Sequence, residues 1–365
     1  MADQQGLVRA ERGTGDAVAS GVDDLTATYL TAALRPSMPG ADVTGVRAER
    51  IGTGQIGASS RLHLVGHGVP ATLVAKLAAD DPASRERVKD GYRKEVRFYR
   101  ELGERVAGHV PGCWHAAIAD DASTFTLLFD DLAPAVPGVQ ANGCTVAEAA
   151  AAVRNLAGIH AATWCDHALL ASRWLQAWEP DTGRFLGDVL VGAIDEFVAR
   201  YGDALGPDDV DTIRRAAGAW AAAPVSRFTV VHGDYRLDNL MFSPDGTVTA
   251  LDWQTATVGS PMRDLAYFLE TSLDVELRRR HEQDLLGTYA DALVEGGVDR
   301  SEAEESLQQY PDDLRQGPLI TVLGAVYATA ARSDAADGMF LAMARRSCAA
   351  LRDHGVLDGE AAKHG

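Results

Sequence analysis

The feature that most constrains the fold is a polar break, VVHGDYRLDNLMF, between two apolar stretches at residues 230–242. Within it Asp234 and Asn239 are separated by four residues, and Asp252 follows at the end of the apolar stretch VTALD. The intervening SPDG is a clear turn signal, so the pattern predicts a hairpin whose first strand covers residues 240–242. Such a loop and hairpin would hold the three polar side chains on one rigid frame.

The rest of the chain predicts an α+β fold in which a small β-rich N-lobe precedes a larger helical C-lobe. Short alternating segments split by glycine turns indicate strands, and alanine-rich amphipathic segments after residue 146 indicate helices. The earlier elements are expected to be helices at residues 23–34 and 82–105, and strands within 43–77 and near 116–119 and 125–129. The predicted division is a disordered tail at residues 1–20, the N-lobe at 21–132 and the C-lobe at 133–365.

Composition excludes several classes of function. The formal net charge of −18 over 365 residues argues against non-specific binding to nucleic-acid phosphates. No apolar run approaches the ~18 residues of a membrane span, and the N-terminus lacks an apolar signal core. Widely spaced cysteines without a C-x-x-C pair indicate reduced thiols and a cytoplasmic protein. These are Cys113, Cys144, Cys165 and Cys348.

A glycine segment, IGTGQIGASS, contains Gly52, Gly54 and Gly57. One alternative is a plain flexible hairpin, and another is a dinucleotide-binding turn, which requires a helix after the glycines. Here the strand-like stretch RLHLVG follows. A strand, a glycine loop and a second strand form the arrangement that covers nucleotide phosphates, because glycine lets backbone N–H groups approach the phosphate oxygens.

A lysine, Lys76, stands inside the apolar strand TLVAKLA. In one interpretation it lies on an edge strand and reaches water. In the other it binds the α- and β-phosphates of ATP and is fixed by a carboxylate on the following helix. Glu95 lies beside the inward face of that helix and is the preferred partner over Glu86 and Glu101.

The order of these features suits phosphoryl transfer. Asp234 would accept or orient the proton of an acceptor hydroxyl, while Asn239 and Asp252 would bind Mg²⁺, which neutralises the phosphates. The alternative for the loop alone is a polar turn capped by Asp and Asn. That alternative is weak for a glycine segment, a lysine, a glutamate and this loop in the correct order.

The chain resembles the aminoglycoside phosphotransferase family, the small-molecule branch of the protein-kinase-like fold. The motifs that carry the resemblance lie within residues 43–267 and are YRKEVRFYREL, LLFDDLAP, VVHGDYRLDNLMF and LDWQTATVGSPMRDLAYFL. Within the family, it is most similar to bacterial ecdysteroid-kinase-like small-molecule kinases. The resemblance implies a bilobal fold, ATP and Mg²⁺ as cofactors, and a nucleotide-binding N-lobe.

The resemblance also implies roles for individual residues. Asp234 would be the catalytic base and His232 would brace its loop. Tyr235 and Arg236 stand where many of these kinases have His or Lys-Pro, so Arg236 is a second candidate catalytic residue that could contact phosphate or the acceptor. Asp238 has no role implied by the resemblance, and it stays open whether it is more than a solvent-facing turn residue. The backbone of Phe129, Asp130 and Asp131 would bind adenine, Asn239 and Asp252 would bind Mg²⁺, and Asp264 would hold the loop from a helix N-terminus.

The acceptor is predicted to be the hydroxyl of a small molecule. Only twelve positions separate Asp252 from Asp264, too few for the long activation segment that docks a protein substrate. An antibiotic, a steroid-like compound and a hydroxyacyl metabolite all remain open as acceptors, and so does the oligomeric state. The alternative function is a nucleotide-binding regulator without an acceptor.

Two sets of residues could build the acceptor pocket or serve only the fold. Acidic clusters could bind an aminosugar or be solvated helix ends, and tryptophans could line an apolar pocket or pack in the helical core. His160 and His167 are predicted to be structural. The acidic clusters are Asp208, Asp209 and Asp211; Glu302, Glu304 and Glu305; and Asp312 and Asp313. The tryptophans are Trp164, Trp174, Trp178 and Trp220.

Overall fold

The computed structural model describes residues 17–52, 57–175, 180–218, 227–328 and 333–358. The chain divides into two compact units. The N-unit comprises residues 1–100 and 112–131, and the C-unit comprises residues 101–111 and 132–365. Of the predicted tail at residues 1–20, residues 1–16 lie outside the described residues.

The N-unit is built on a five-stranded antiparallel sheet with the strand order β1-β2-β3-β5-β4. Alternate residues of β3, among them Leu73 and Ala75, face a core that includes Leu30 and Leu34 of helix α1. The elements are α1 (Ala27–Leu34), β1 (Asp42–Ile51), β2 (Gly57–His67), β3 (Thr72–Ala78), α2 (Pro82–Glu101), β4 (Cys113–Ile118) and β5 (Phe125–Asp130).

Both helices predicted in the first hundred residues are shorter than expected. A 3₁₀ turn occupies Val22–Asp24, and α1 begins only at Ala27, because Thr26 is an extended N-cap whose hydroxyl accepts the N–H of Tyr29 at 3.2 Å. Helix α2 ends at Glu101 rather than at residue 105, and turns follow.

The C-unit is mainly helical and contains two small antiparallel sheets, β6-β8-β9 and β7-β10. Its strands are β6 (Val136–Pro137), β7 (Thr229–Val231), β8 (Leu240–Phe242), β9 (Val248–Ala250) and β10 (Thr257–Gly259). Its helices are α3 (Val146–Ala162), α4 (His167–Leu170), α5 (Pro180–Leu205), α6 (Pro207–Gly218), α7 (Met262–Ser272), α8 (Val275–Glu295), α9 (Arg300–Ser306), α10 (Tyr310–Asp313), α11 (Gln316–Leu323) and α12 (Asp334–Asp353).

The predicted hairpin is confirmed as β8 and β9. Leu240 pairs with Ala250, and Phe242 pairs with Val248. Helix α3 supports the second strand, because Asn155 Nδ2 donates a 2.6 Å hydrogen bond to the carbonyl oxygen of Val248. The hairpin is therefore attached to a long helix of the C-unit.

Helix α7 is buried on nearly every side. Met262 and all residues from Asp264 to Ser272 are buried, and the helix packs against α3, α8, α10, α11 and α12. A helix surrounded in this way is a rigid platform for any side chain that it directs at a neighbouring loop.

The four cysteines are free thiols. Among the helices in the described ranges, none combines the length and the apolar character needed to cross a membrane.

We expect Gly66→Ala to destabilise the N-unit by about 1–3 kcal/mol, because a Cβ there would lie 2.2 Å from the backbone oxygen of Asp42. Gly45→Ala is the matched control in the partner strand, where the nearest atom to the added Cβ is 3.5 Å away. Thermal unfolding of the two variants measures the difference. Equal melting temperatures would contradict this account of the strand pairing.

Candidate active site

The polar loop, residues 232–239, is attached to helix α7 by a buried carboxylate. Asp264 accepts hydrogen bonds from the backbone N–H groups of His232 at 2.6 Å and Gly233 at 2.8 Å. Gly233 has a φ of +83°, and an added Cβ would lie 2.8 Å from the Thr255 carbonyl oxygen, so this turn requires glycine. These are the contacts expected of a residue that holds the loop.

Asp264 is buried and stays ionised. Burial by itself raises the pKa of Asp264, but the neighbouring imidazole of His160, together with His232 and Gly233, brings it below the ordinary value. The His160 Nε2 atom lies 3.5 Å from Asp264 Oδ2, and its Nδ1 atom lies 2.7 Å from the Tyr289 hydroxyl. His160 thus supports the loop through Asp264, in agreement with its predicted structural role.

His232 joins the polar loop to the hairpin. Its Nε2 atom lies 2.8 Å from the carbonyl oxygen of Leu251, and its Nδ1 atom accepts the Asp234 N–H at 3.2 Å. The ring of Trp253 packs against the imidazole, with ring centroids 4.6 Å apart. Because Leu251 and Trp253 flank Asp252, the imidazole connects the two segments that carry the candidate catalytic and metal-binding residues.

Three side chains donate hydrogen bonds to the carboxylate of Asp234, the predicted catalytic base. Arg236 Nε lies 3.0 Å from Oδ1 and 3.2 Å from Oδ2, and Asn239 Nδ2 lies 2.9 Å from Oδ2. The Tyr267 hydroxyl lies 3.2 Å from Oδ1. The Asp234 side chain remains 30% exposed, so the carboxylate is both fixed and accessible, as orientation of an acceptor hydroxyl requires.

Sequence reasoning missed Tyr267. A signal was present, because Tyr267 follows Asp264 by three positions and residues at that spacing share a helical face. Once Asp264 is directed at the polar loop, the residue one turn later on α7 is also directed there.

Arg236 is turned toward the carboxylates of its own loop. Besides Asp234 it pairs with Asp238 Oδ2, and its Nη1 atom lies 3.4 Å from Met339 Sδ. Asp238 Oδ1 accepts the backbone N–H of Gln140 at 2.8 Å. Asp238 is exposed in the 3₁₀ turn Leu237–Asn239, as expected of a solvent-facing turn residue, but its carboxylate also links Arg236 to the Gln140 segment. A contact between Arg236 and phosphate or acceptor stays a prediction.

Asn239 and Asp252 supply the hard oxygen atoms that Mg²⁺ prefers. Asn239 Nδ2 faces two oxygens of Asp234, the backbone O and Oδ2, each at 2.9 Å, so the amide nitrogen is the donor in both bonds and the amide oxygen is the atom that could accept or ligate. The Leu251 N–H donates to Asn239 O at 2.8 Å, which brings Asn239 beside the strand end that leads to Asp252.

The backbone of Asp252 adopts the left-handed region, with a φ of +64°. This conformation is uncommon for residues other than glycine, and strain of this kind is concentrated at functional sites. Protein ligands to Mg²⁺ are commonly one or two oxygens, completed by water and substrate phosphates, and the pair fits that pattern. Within the described ranges, no group of three His, Cys, Asp or Glu residues is arranged to hold a metal.

In the N-unit, Lys76 and Glu95 form a buried ion pair. Lys76 Nζ lies 2.7 Å from Glu95 Oε1, and the side chains are 14% and 1% exposed. Strand β3 lies between β2 and β5, so the interpretation of Lys76 as an edge-strand residue is wrong. The pairing expected with Glu95 is present, and the contact of Lys76 with nucleotide phosphates stays a prediction.

The glycine segment connects strands β1 and β2, which pair antiparallel. A strand rather than a helix follows the glycines, so the dinucleotide-binding alternative is wrong. Gly52 has a φ of +70°, and a Cβ on Gly57 would lie 2.9 Å from the carbonyl oxygen of Leu77. Both positions therefore favour glycine, while Gly54 lies outside the described residues.

The predicted adenine-binding residues Phe129, Asp130 and Asp131 lie at the end of β5. The Asp131 carboxylate accepts a 2.7 Å hydrogen bond from Arg61 Nε, and Asp130 Oδ1 accepts one of 2.7 Å from Trp114 Nε1. These side chains fix the strand end within the N-unit. A backbone contact with adenine stays a prediction.

Two residues of the acidic clusters, Asp209 and Asp313, are buried and have partners inside the C-unit. Asp209 is buried and lies 2.8 Å from Arg352 Nη1. Asp313 is buried, accepts a 2.7 Å hydrogen bond from Ser260 Oγ, and has its pKa raised to about 6 by burial. The expectation of a solvated helix end is wrong for these two residues, because both carboxylates are enclosed by packed helices.

Two of the four singled-out tryptophans also make polar contacts with acidic residues. Trp164 Nε1 donates to Glu302 at 3.2 Å, and Trp174 Nε1 donates to Glu101 at 2.6 Å. Outside the described residues lie Trp178 and Trp220. The described pair gives no direct indication of an apolar acceptor pocket.

The chain belongs to the phosphotransferase enzyme family APH, whose family model matches residues 51–304. The matched residues include the glycine segment, the polar loop, the hairpin and helix α7. Fold and family together define a small-molecule phosphotransferase with a hydroxyl acceptor. The resemblance drawn from the sequence motifs is thereby confirmed.

Two crystal structures share the fold over most of their length. A Ralstonia eutropha protein provisionally named an aminoglycoside phosphotransferase is 18% identical, with a TM-score of 0.52 over 89% of this chain and 97% of that chain. A choline kinase from Cryptosporidium parvum is 11% identical, with a TM-score of 0.50 over 87% of this chain and 92% of that chain. These likenesses confirm the α+β protein-kinase-like fold.

A curated mouse protein, Acyl-CoA dehydrogenase family member 10, is 44% identical over 66 residues. The match covers 16% of this chain and 6% of the mouse protein. The similarity is therefore local, and this chain spans only a small part of that relative.

We expect Lys76→Met to lower the free energy of unfolding by about 3 kcal/mol, because the Glu95 carboxylate stays buried after the ammonium group is removed. Adding Glu95→Gln should recover part of the loss. Lys89→Met, which removes an exposed pair with Glu86, is the control and should cost less than about 0.5 kcal/mol. Urea unfolding distinguishes the two sites, and equal losses would refute a buried-pair effect.

Proposed function

We propose that this chain transfers the γ-phosphoryl group of ATP to the hydroxyl group of a small molecule, with Mg²⁺ as the metal. The observation that carries the proposal is the Asp234 carboxylate, which is accessible yet held by three donors. One of these donors, Asn239, is a candidate metal ligand beside the strand that leads to Asp252. Family membership supports the reaction class, and this site geometry supports the assignment of residues.

In the proposed step, the acceptor hydroxyl donates a hydrogen bond to Asp234. A bond forms between the acceptor oxygen and the γ-phosphorus atom, while the bond from that phosphorus to the β–γ bridging oxygen breaks. The products are the phosphorylated acceptor and ADP. The hydroxyl proton passes to Asp234 and then to solvent, so atoms and charge balance.

Asn239 and Asp252 would hold Mg²⁺, which when bound neutralises phosphate charge and orients the phosphates. In the N-unit, Lys76 would bind phosphate oxygens from the position that Glu95 fixes, and the glycine segment would offer backbone N–H groups. The backbone of residues 129–131 would bind adenine. Asp264 and His232 would keep the polar loop in place.

We propose a hydroxylated acyl compound as the acceptor class. Support comes from the local similarity to a protein named for acyl-CoA dehydrogenation. A polycationic aminosugar would rely on an acidic surface. Asp209 and Asp313 contribute less to such a surface because both have partners within the C-unit. Formation of ADP with hydroxyacyl-CoA esters, steroids, macrolides and aminoglycosides tests the choice. Turnover of an aminoglycoside alone would overturn it.

Asp234→Asn should lower kcat at least about 1,000-fold, because the amide cannot accept the proton of the hydroxyl group. Thermal stabilisation by Mg-ATP should persist. Asp245→Asn, an exposed residue of the hairpin turn, is the control and should behave like wild type. Steady-state ADP formation measures the effect, and near-wild-type turnover in Asp234→Asn would remove Asp234 from its role.

Asp252→Asn should weaken metal binding, because a neutral amide replaces a charged oxygen ligand. We expect the Mg²⁺ concentration that gives half of the ATP-dependent thermal shift to rise about tenfold or more. The thermal shift is read without turnover, so it reports on the metal site itself. An unchanged Mg²⁺ requirement would exclude Asp252 as a ligand.

The alternative, a nucleotide-binding regulator, makes a different prediction. Mg-ATP would stabilise the protein against heat, but no acceptor in the panel would increase ADP formation. Absence of any thermal shift with millimolar ATP and Mg²⁺ would reject both nucleotide-dependent functions.

A further inference from the structure

Helix α7 directs two polar side chains at the polar loop, one helical turn apart. Asp264 binds the backbone N–H groups of His232 and Gly233. Tyr267, three residues later, reaches the next residue of the loop, with its hydroxyl 3.2 Å from Asp234 Oδ1. One buried helix thus contacts three consecutive loop residues, and the last contact is to the side chain of the candidate catalytic base.

The Tyr267 hydroxyl is a hydrogen-bond donor held in a fixed place. The residue is 2% exposed, and a buried phenol requires a partner for its hydroxyl group. Burial, and then the negative charge of Asp234, raise the pKa of Tyr267 well above its ordinary value, so the phenol keeps its proton.

The other donors leave a distinct task for this contact. Arg236 Nε carries one hydrogen and lies at similar distances from both carboxylate oxygens, 3.0 and 3.2 Å, so it does not distinguish between them. Asn239 Nδ2 bonds to Oδ2 and to the backbone O of Asp234. Tyr267 bonds to Oδ1 alone. Asn239 and Tyr267 therefore hold opposite oxygens and together fix the plane of the carboxylate.

We propose that Tyr267 is a positioning residue for phosphoryl transfer, which sets the rotation of the Asp234 carboxylate before the acceptor arrives. The inference rests on the proposed function, because the rotation matters only if Asp234 orients the acceptor hydroxyl. Loss of the Tyr267 contact would leave Oδ1 only the Arg236 Nε hydrogen that it shares with Oδ2, while Asn239 would remain bonded to the loop. Turnover should therefore suffer and metal–nucleotide binding should not.

The test compares Tyr267→Phe with Tyr310→Phe. Tyr310 is also a buried phenol bonded to a carboxylate, Glu282 Oε1 at 2.7 Å, in the same unit, and neither residue belongs to the polar loop. Hydrolysis of Mg-ATP, with water as the acceptor, gives kcat and KM without knowledge of the natural acceptor. Thermal unfolding with and without Mg-ATP reports on folding and on nucleotide binding.

For Tyr267→Phe we expect kcat to fall about tenfold or more, with the KM for Mg-ATP within about threefold of wild type. Tyr310→Phe should keep kcat within about twofold, whatever its melting temperature. In an Asp234→Asn background, Tyr267→Phe should change the residual rate less than about twofold, because the two side chains act as one unit.

Three results would overturn the inference: a kcat within twofold of wild type in Tyr267→Phe, an equal loss in Tyr310→Phe, or an undiminished loss in the Asp234→Asn background. Failure of the proposed function looks different. In that case Asp234→Asn itself retains turnover, or wild-type protein forms no ADP from Mg-ATP under any condition in the panel.

Discussion

The polar loop depends on one buried carboxylate. Asp264 accepts the backbone N–H groups of His232 and Gly233, two donors that the short strand before the loop does not satisfy. A buried charge of this kind is stable only when its surroundings supply several donors, and removing one partner is costly. Because α7 is itself enclosed by helices, the hydrogen bonds from Asp264 attach the loop to the rigid core of the C-unit. Asp234 can then be accessible to a small molecule without being mobile.

The N-unit uses the same physical principle in a different element. The 1% exposed carboxylate of Glu95 is compensated by the ammonium of Lys76, on an interior strand. In both units a charge withdrawn from water holds a candidate site residue in place. Low dielectric surroundings make an unpaired charge costly, so the paired geometry is strongly preferred. Fold and family define a phosphotransferase. The fixed charges of Glu95 and Asp264 support the proposal that the N-unit binds phosphate and the C-unit activates the acceptor.

Local rules predicted the hairpin well. SPDG leaves few conformations other than a turn, and an apolar stretch on each side can pair only as β8 and β9. Helix ends were predicted less well. The start of α1 depends on which of several polar residues becomes the N-cap, and the N-cap is Thr26 rather than a residue near Asp23. The contact of Asp238 with Gln140 was not predicted because the two residues are remote in sequence. Tyr267 was not predicted either, because an aromatic side chain on a buried helix ordinarily serves only to pack the core.

The sequence by itself determined the class of protein, because phosphoryl transfer requires particular residue types in a particular order along two short segments. It also determined the hairpin and the candidate pairing of Lys76 with Glu95. Only the tertiary structure decided the surroundings of the Asp234 carboxylate, namely the orientation of Arg236 toward its own loop and the approach of Tyr267 from α7. The physical reason is that hydrogen-bond geometry between residues distant in sequence is set by how packed helices meet, and no local pattern encodes those distances.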